Sequence, residues 1–396
     1  MNLINILKRS LQPESNEQSA LVVENSYAYP LPLTERGGQS IKVSFPQADT
    51  DFTPPLFSPT ENWKKGSRNG FRSLKSAFQV LYATLEDSGY PVNRCEPAKV
   101  DLVFDWSGKA QNYTTGGAVL FMEHGWLPRY SYQISNKGTN SKSHVAENYR
   151  YKNLSTLERS IVQRYCNKIM RIMTCKIEAS TESKVKRHIN HDHILFPFQL
   201  SNDMNLLNSN NSLSKHYSAG IHSNISFAQA CIDLVEAADP PLPVVFKQHP
   251  VDKNENLTAK LKLNDHRNKI VTNDDAIGTS DIFASNLCKL VISVNSNTMH
   301  EALAFGIPGI SLGTMMWNER VSDRPLPDGL DSIERLLEKK TDYENHRNSY
   351  LLHLIKNQWF LSDFQNPLIV RALIDSLGQA APFDLRSSYG LEPIMI

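Results

Sequence analysis

Two stretches of the sequence carry residues suited to holding a phosphate group. Lys247 and His249 end an apolar run, and a lysine and a histidine delivered side by side can bind a phosphate and stabilise it as a leaving group. The stretch from Ser293 to Glu301 is rich in Ser, Asn and Thr, which cap helices, and backbone N–H groups at a helix start bind phosphates. Glu301 would then reach ribose hydroxyls. The alternatives are a structural histidine and an ordinary capped helix.

Two further loops carry carboxylates. Glu123 is followed by His-Gly-Trp, and the glycine would let backbone or ligand approach closely. Glu123 is therefore a candidate acid/base group, and the alternative is a surface turn with a buried tryptophan. Gln199 and Asp203 follow the next apolar run, where an aspartate can also be a helix cap or a turn former. The sequence has no GxGxxG or P-loop, which argues against a dinucleotide or triphosphate site.

All of these residues lie near the carboxyl ends of predicted strands or just beyond them. Short β-branched or aromatic runs predict strands at 19–23, 41–45, 100–106, 118–126, 194–199, 243–250, 269–272, 290–294 and 310–312. Apolar residues at helical spacing predict helices at 72–85, 155–175, 225–238, 276–287, 299–305, 331–339, 343–356 and 367–377. The alternation predicts an α/β protein with parallel sheets, whose ligands bind beyond the carboxyl ends of the strands.

The same alternation predicts two Rossmann-like domains that face each other across a central cleft. The first covers residues 1–190 and the second covers residues 191–365, with a C-terminal helix and tail at 366–396. A basic, histidine-rich linker at 184–193 separates the two halves. Its histidines and the Asp274-Asp275 pair could be read as metal ligands, but solvated groups in a linker and a turn explain them better.

Composition narrows the class of protein. The 42 basic and 41 acidic residues nearly balance, which argues against nucleic acid as the main partner. No apolar run approaches the length of a membrane span, and the N-terminus lacks the features of a signal peptide. The five cysteines are scattered and fit neither a disulfide framework nor a zinc site. We expect a soluble cytoplasmic protein without a metal or another cofactor.

The order of four motifs carries a resemblance to a known family. The motifs are E-x-G at 123–125, P-x-Q-x-x-x-D at 197–203, K-x-H-P at 247–250 and S-x-x-S-x-x-x-x-E-A-x-x-x-G-x-P at 293–308. Together they resemble the capsule-polysaccharide-synthesis glycosyltransferases, and most closely the β-Kdo transferases of bacterial capsule and O-antigen (lipopolysaccharide) assembly. The resemblance runs from about residue 100 to 312. It implies a GT-B architecture and transfer of Kdo from CMP-β-Kdo with retention.

The resemblance also implies roles for single residues. Asp203 matches the carboxylate that attacks the anomeric carbon, and Glu123 matches the acidic residue on the acceptor side. Lys247 and His249 match the basic pair near the CMP phosphate and the Kdo carboxylate, with His249 counted as catalytic. The predicted substrate- and nucleotide-binding residues are Gln199, Lys247, Ser293, Ser296, Asn297, Glu301 and Arg129.

The chemistry of these residues fits the implied reaction, with two departures from the family. Double displacement needs a carboxylate nucleophile and an acid/base group for the acceptor hydroxyl. CMP leaves with one phosphate, so Lys247 and a helix N-terminus could supply the charge without a metal. Gln248 stands where related sequences often have another basic residue. Residues 1–95 match nothing in the family, which leaves acceptor recognition open.

Three functions remain open at this point. The first is a β-Kdo transferase whose partners are a nucleotide sugar and a glycan acceptor, associated peripherally with membrane-bound polysaccharide assembly machinery at the inner face of the inner membrane. The second is an enzyme of the same fold that uses CMP-sialic acid or a UDP-sugar, although a UDP-sugar would need more cationic groups. The third is a non-catalytic subunit of polysaccharide assembly or export. Polar residues that converge on strand ends argue against the third.

Overall fold

The protein is an α/β protein in the part of the chain that the computed structural model describes. The described residues are 43–44, 70–90, 92–93, 102–106, 118–127, 131–140, 143–174, 185–199, 224–236, 242–250, 261, 267–294, 296–311 and 340–391. The predicted strand at 19–23, the predicted helix at 331–339, Asp203 and Arg129 lie outside these residues.

Two five-stranded sheets and the helices between their strands form the fold. The strands are β1 (Val43–Ser44), β2 (Val92–Asn93), β3 (Leu102–Trp106), β4 (Ala118–His124), β5 (Tyr132–Ser135), β6 (His193–Pro197), β7 (Val244–Lys247), β8 (Lys269–Val271), β9 (Cys288–Ser293) and β10 (Gly309–Ser311). The helices are α1 (Gly70–Asp87), α2 (His144–Asn148), α3 (Thr156–Thr174), α4 (Asn224–Glu236), α5 (Thr279–Ala284), α6 (Thr298–Ala304), α7 (Lys340–Asn357), α8 (Leu361–Phe364), α9 (Pro367–Asp375) and α10 (Pro382–Ser388).

The first sheet has the strand order β2-β1-β3-β4-β5. Strand β1 pairs in parallel with β2 and with β3, and β3 pairs in parallel with β4. This order is one of the two common orders of doubly wound α/β folds. The carboxyl end of β4 therefore lies at the edge of the sheet where such folds place their functional loops.

The second sheet has the order β10-β9-β6-β7-β8, and all of its neighbouring strands are parallel. Counted from β6, this order is 5-4-1-2-3, which is the order of a Rossmann mononucleotide-binding half extended by two strands. The chain turns back between β8 and β9, so the connections leave β6 and β9 toward opposite edges of the sheet. Such a switch point opens a crevice beyond the carboxyl ends of β6 and β9.

Strand alternation produces a separate hydrophobic core on each face of the second sheet. Phe196, Phe246 and Ile292 point to the face that α4 covers. Val245 and Val291 point to the other face, where they pack with residues of α5 and α6. Strands covered on both faces are expected to be continuous apolar runs, and the sequences of β6, β7 and β9 have this character. The predicted parallel α/β organisation is confirmed.

The chain divides into two compact units whose segments alternate along the sequence. One unit contains residues 1–123, 134–136 and 356–396, and the other contains residues 124–133 and 137–355. In the first unit, α8 and α9 pack against α1 although they lie at the far end of the chain. This division differs from the sequence-based boundaries at 190 and 365, which stay a prediction.

The predicted linker at 184–193 is built into the second unit. Residues 185–188 are helical, and Val185 and Ile189 are buried in the core on the α5 and α6 face. Their spacing of four residues places both apolar side chains on one side of a helical turn. The basic residues of this segment hid that short apolar pattern. None of the helices in the described part of the chain combines the length and the apolar character needed to cross a membrane.

Candidate functional site

Three of the predicted residues lie at the carboxyl ends of three adjacent strands. Lys247 ends β7 and pairs with Pro197, the last residue of β6. Strands β6 and β9 pair through Leu195 and Val291, so Pro197 and Ser293 each follow two residues later. Adjacent strands are about 4.8 Å apart, which places the Lys247 and Ser293 backbones about 10 Å apart across β6. Gln199 lies two residues beyond the end of β6, the strand between β7 and β9.

Lys247 and Ser293 also share one face of the sheet. Each follows two residues after a valine, Val245 or Val291, whose side chain packs in the core on the α5 and α6 face. Because side chains alternate along a strand, Lys247 and Ser293 point to that same face. The register of β6 shifts only between His193 and Ile194, at the opposite end of the strand. The fold therefore places a cation and a hydroxyl on one face of the sheet, on either side of the carboxyl end of β6.

Lys247 is a buried lysine whose ammonium group uses one of its donors within the described residues. Its side chain is 5% exposed, and Nζ donates a hydrogen bond to the Gln248 carbonyl over 3.2 Å. Burial lowers the pKa of Lys247, and the nearby carboxylates of Asp275 and Asp281 partly oppose this change. A lysine in this position is a compact point charge that can donate a hydrogen bond to a phosphate oxygen.

The turn after β9 has one buried hydroxyl and one capping hydroxyl. Ser293 is fully buried, and its Oγ has no hydrogen-bond partner among the described residues. The hydroxyl of Ser296 accepts a hydrogen bond from the Thr298 backbone over 3.3 Å, which begins α6. The Asn297 carbonyl accepts hydrogen bonds from the backbone N–H groups of the first turn. A buried hydroxyl without a protein partner is the type of group that a ligand can satisfy.

Helix α6 has seven residues and presents Glu301 in its first turn. The Glu301 side chain is partly exposed, as a contact with a ribose would require. The helix ends at Ala304, and Gly306, two residues later, has a φ of +78°, the left-handed conformation that glycine adopts readily. The prediction that Gly306 stops this helix is confirmed. His300, the residue just before Glu301, is buried and was not among the predicted site residues.

His300 is a buried neutral histidine that joins α6 to α7. Its Nε2 lies 2.8 Å from the hydroxyl of Tyr350, and the two rings stack at a centroid distance of 5.9 Å. Complete burial lowers the pKa of His300 to about 3. In the sequence, a histidine in a helical pattern resembles a surface residue. The partner of His300 is Tyr350, 50 residues away, so the local sequence does not reveal this contact.

Asn224 holds the residue that follows β6. The backbone N–H of Gln199 donates to Asn224 Oδ1 over 3.1 Å, and Asn224 Nδ2 donates to the Gln199 carbonyl over 2.6 Å. Both residues are buried. One side-chain amide therefore satisfies both backbone groups of Gln199 and fixes the start of α4 beside the end of β6. The sequence signal for this contact is an asparagine at a helix start, a residue type that usually caps its own helix.

Asn273 makes a similar contact with the loop that follows β7. Its side chain donates to the carbonyls of His249 over 3.1 Å and Pro250 over 3.5 Å. Its backbone N–H donates to Gln248 Oε1 over 3.0 Å. The Gln248 side chain is buried, whereas His249 is partly exposed. The local sequence gives no sign of this contact, because Asn273 lies in an ordinary polar turn.

Glu123 lies at the carboxyl end of β4, in the first sheet, and is partly exposed. Two residues later, a Cβ atom on Gly125 would lie 2.1 Å from Ser131 Oγ and 2.8 Å from the Tyr132 nitrogen. The Gly125 N–H donates to the Ser131 carbonyl over 2.6 Å. The predicted close approach at this glycine is therefore made by the chain itself. Trp126 is 1% exposed, as the alternative interpretation of this turn expected.

The charged residues once considered as metal ligands have local contacts. Asp275 accepts hydrogen bonds from the backbone and the hydroxyl of Thr272 over 2.6 and 2.9 Å. His193 is fully buried at the start of β6, so its expected solvation is wrong. His193 is the first residue of a strand that is covered on both faces of the sheet. Within the described part of the chain, no group of three or more His, Cys, Asp or Glu side chains is arranged to hold a metal ion.

The fold and these contacts define a parallel α/β protein with polar side chains at the switch point of a Rossmann-ordered sheet. No protein-family model and no curated protein matches the chain. Solved structures that are similar to it include the β-Kdo 2,7-transferase KpsC of Thermosulfurimonas dismutans, with 15% identity, a TM-score of 0.40 and coverage of 73% of this chain and 85% of that chain.

Two further similar structures are epimerases. The UDP-GlcNAc 2-epimerase of Methanocaldococcus jannaschii, solved with UDP-GlcNAc and UDP, has 14% identity and a TM-score of 0.35, and covers 79% of this chain and 82% of its own. The UDP-GlcNAc 2-epimerase of Neisseria meningitidis, bound to UDP-GlcNAc, has 12% identity and a TM-score of 0.32, with coverage of 77% and 81%. At this distance, none of the three assigns a family or an activity to this chain.

Proposed function

We propose that the protein is a glycosyltransferase that transfers Kdo from CMP-β-Kdo, with retention, to a bacterial surface polysaccharide. The observation that supports it is the position of Gln199, Lys247 and Ser293, which come from three separate motifs and lie at the carboxyl ends of three adjacent parallel strands. Ligands of such sheets bind at this edge. The proposal includes the GT-B architecture that the motifs imply, with partners among the membrane-bound machinery of polysaccharide assembly.

The charge of the site favours a donor with one phosphate. The stretches 197–199, 247–250 and 293–301 contain one lysine and no arginine. The phosphate of a CMP-sugar carries one negative charge, which Lys247 can balance, whereas the diphosphate of a UDP-sugar carries two; the second charge of CMP-Kdo lies on the Kdo carboxylate, away from the phosphate. Ser293 Oγ can donate a further hydrogen bond to the phosphate, and Glu301 can accept hydrogen bonds from the ribose hydroxyls. No metal is needed for this charge balance.

The proposed reaction proceeds in two displacements. The carboxylate of Asp203 attacks the anomeric carbon, the bond from that carbon to the phosphate oxygen breaks, and CMP leaves. Glu123 then takes the proton of the acceptor hydroxyl, and the acceptor oxygen displaces Asp203 from the sugar. Two inversions give net retention. In the first step, Lys247 and His249 stabilise the charge that develops on the leaving phosphate.

The first test is nucleotide release from CMP-Kdo, generated in place, compared with CMP-sialic acid and a panel of UDP-sugars. Oligosaccharide or lipid-linked acceptors are added in parallel, and intact-protein mass is read on the same samples. We expect CMP release with CMP-Kdo and a one-sugar adduct that an Asp203→Ala variant does not form. The control is Asp192→Ala, which removes an exposed carboxylate that pairs with Lys289 at the amino end of β6.

Each result of this test discriminates between the open functions. If the protein releases nucleotide from another donor, the proposed donor changes from CMP-Kdo to that nucleotide sugar. Silence with every donor and acceptor supports a non-catalytic assembly subunit. Near-normal turnover by Asp203→Asn would exclude Asp203 as the nucleophile, because a neutral amide cannot form the glycosyl ester.

A further inference from the structure

We propose that Asn273 is a positioning residue that holds His249 in place for the departing phosphate. The inference rests on the proposed function, since it assigns a role at the same site. Asn273 lies in the turn after β8 and belongs to none of the four motifs. It acts on His249 through the backbone carbonyl of that residue.

The contacts of Asn273 reach the three described residues that follow Lys247, namely Gln248, His249 and Pro250. The Nδ2 amide donates to the carbonyls of His249 and Pro250 over 3.1 and 3.5 Å, and the Asn273 N–H donates to Gln248 Oε1 over 3.0 Å. The Gln248 N–H donates to the carbonyl of Val271, the last residue of β8, over 2.9 Å. The start of the loop after β7 is thereby attached to the end of the neighbouring strand, and Asn273 contributes three of the hydrogen bonds that hold it.

The turn that carries Asn273 is itself fixed. The Asp275 carboxylate accepts hydrogen bonds from the backbone and hydroxyl of Thr272 over 2.6 and 2.9 Å. Ala276 has a φ of +52° and donates its N–H to the Asn273 carbonyl over 3.3 Å. A short turn braced at both ends gives Asn273 a defined position from which to orient a neighbouring loop.

This arrangement explains the presence of Gln248 at its position. The side-chain oxygen of Gln248, Oε1, accepts the hydrogen bond from the Asn273 N–H, and Gln248 is buried. A lysine or arginine has no acceptor atom and could not make this bond. In this chain, Gln248 therefore helps to hold the loop. Lys247 and His249 are left to contact the negative charge of the phosphate.

The first part of the experiment measures the contact without any donor sugar. Asn273→Asp keeps the size of the side chain but replaces the donor with an anion that repels the two carbonyls. We expect amide hydrogen exchange of the 247–250 segment to increase on the order of tenfold, with no change in β6. The control Asn286→Asp makes the same chemical change at an exposed position at the amino end of β9. Unchanged exchange in Asn273→Asp overturns the proposal.

The second part measures whether the contact acts through His249. With CMP-Kdo as donor, we expect Asn273→Asp to lower kcat on the order of tenfold with a smaller effect on KM. In a His249→Ala background the same change should have no further effect, because coupled positions are non-additive. Gln248→Glu, which keeps the acceptor, should retain more activity than Gln248→Met. Fully additive losses overturn the positioning role.

The two parts separate this inference from the proposed function. A wild-type protein that releases no nucleotide from any donor refutes the proposed function, and the catalytic role of the contact fails with it. The exchange measurement still decides whether Asn273 holds the loop. Faster exchange together with an active wild type and a non-additive cycle supports the whole inference.

Discussion

Acidification should destabilise this protein through His193, the first residue of β6. The ring is fully buried, Nδ1 donates to the His191 carbonyl over 3.0 Å, and Nε2 has no partner among the described residues. Burial lowers the pKa of His193 from 6.5 to about 4. Protonation inside the fold would place a charge on a nitrogen that neither water nor a described side chain solvates.

The size and the sign of the effect follow from linkage. The folded-state pKa of His193 lies below the unfolded value, so the unfolded chain binds more protons between pH 6.5 and 4. The stabilisation is complete above pH 6.5 and is lost as the pH falls toward the folded pKa. Two-state titration with these values gives a loss in unfolding free energy of about 2 kcal/mol at pH 5 and about 3 kcal/mol at pH 4. His300, with its pKa near 3, adds to the loss in the same direction.

Urea unfolding at pH 7.5, 6 and 5, followed by circular dichroism, measures this loss. The His193→Asn variant keeps a hydrogen-bond donor but does not titrate, so its unfolding free energy should fall about 2 kcal/mol less than that of the wild type between pH 7.5 and 5. His346→Asn, at a partly exposed position on α7, is the control and should follow the wild type. If His193→Asn loses the same free energy as the wild type, His193 does not stay neutral in the fold and the reasoning is wrong.

Four further outcomes follow from the described contacts. Lys247→Met should weaken CMP binding about 10- to 100-fold by calorimetry, because a buried charge-assisted contact contributes about 1.5–3 kcal/mol. Since burial lowers the pKa of Lys247, CMP affinity of the wild type should fall as the pH rises through a value below the ordinary 10.5. Ser293→Ala should weaken CMP binding without lowering the unfolding free energy, because its buried hydroxyl has no described partner. Arg386→Met should cost about 3–5 kcal/mol in urea unfolding, because it leaves the fully buried Asp363 unpaired.

Controls exist for each of these outcomes. Lys247→Arg keeps the charge and should bind CMP better than Lys247→Met, and equal affinities would exclude a charge contact. A loss of unfolding free energy in Ser293→Ala would indicate a structural hydroxyl instead of a ligand contact. Adding Asp363→Asn to Arg386→Met should recover part of the lost stability, since no unpaired buried charge remains. No recovery would mean that packing of the Arg386 side chain on the Phe360 ring carries the effect.

Much of the second sheet was predictable because its signals are local. Short apolar runs predicted β6, β7 and β9 within a few residues of their observed ends, since strands enclosed on both faces must be apolar throughout. The end of each run then located Lys247 and Ser293 at the carboxyl edge. The stop of α6 at Gly306 was readable for the same reason, because a left-handed residue is needed there.

Contacts between distant residues were not predictable from local patterns. Asn224 is 25 positions from Gln199, and Asn273 is 24 positions from His249. In the sequence, each asparagine resembles an ordinary helix cap or turn residue. Its contact with Gln199 or His249 forms only when the sheet is assembled. The burial of His193 was missed for a similar reason, because its basic neighbours indicated a solvated linker while the fold placed it in a strand. The motif roles of Asp203 and Arg129 stay predictions.

The alternating segments of the two units set an order for folding during synthesis. Helices α8 and α9, which pack on α1, leave the ribosome only after residues 137–355 have been synthesised. Residues 137–355 are contiguous, so the unit that contains Lys247 and Ser293 can fold while α1 still waits for its partners. A fragment that stops at residue 355 should therefore expose α1 to aggregation and proteolysis, whereas the later strands should remain protected. The unit that contains α1 is therefore completed after the unit that contains Lys247 and Ser293.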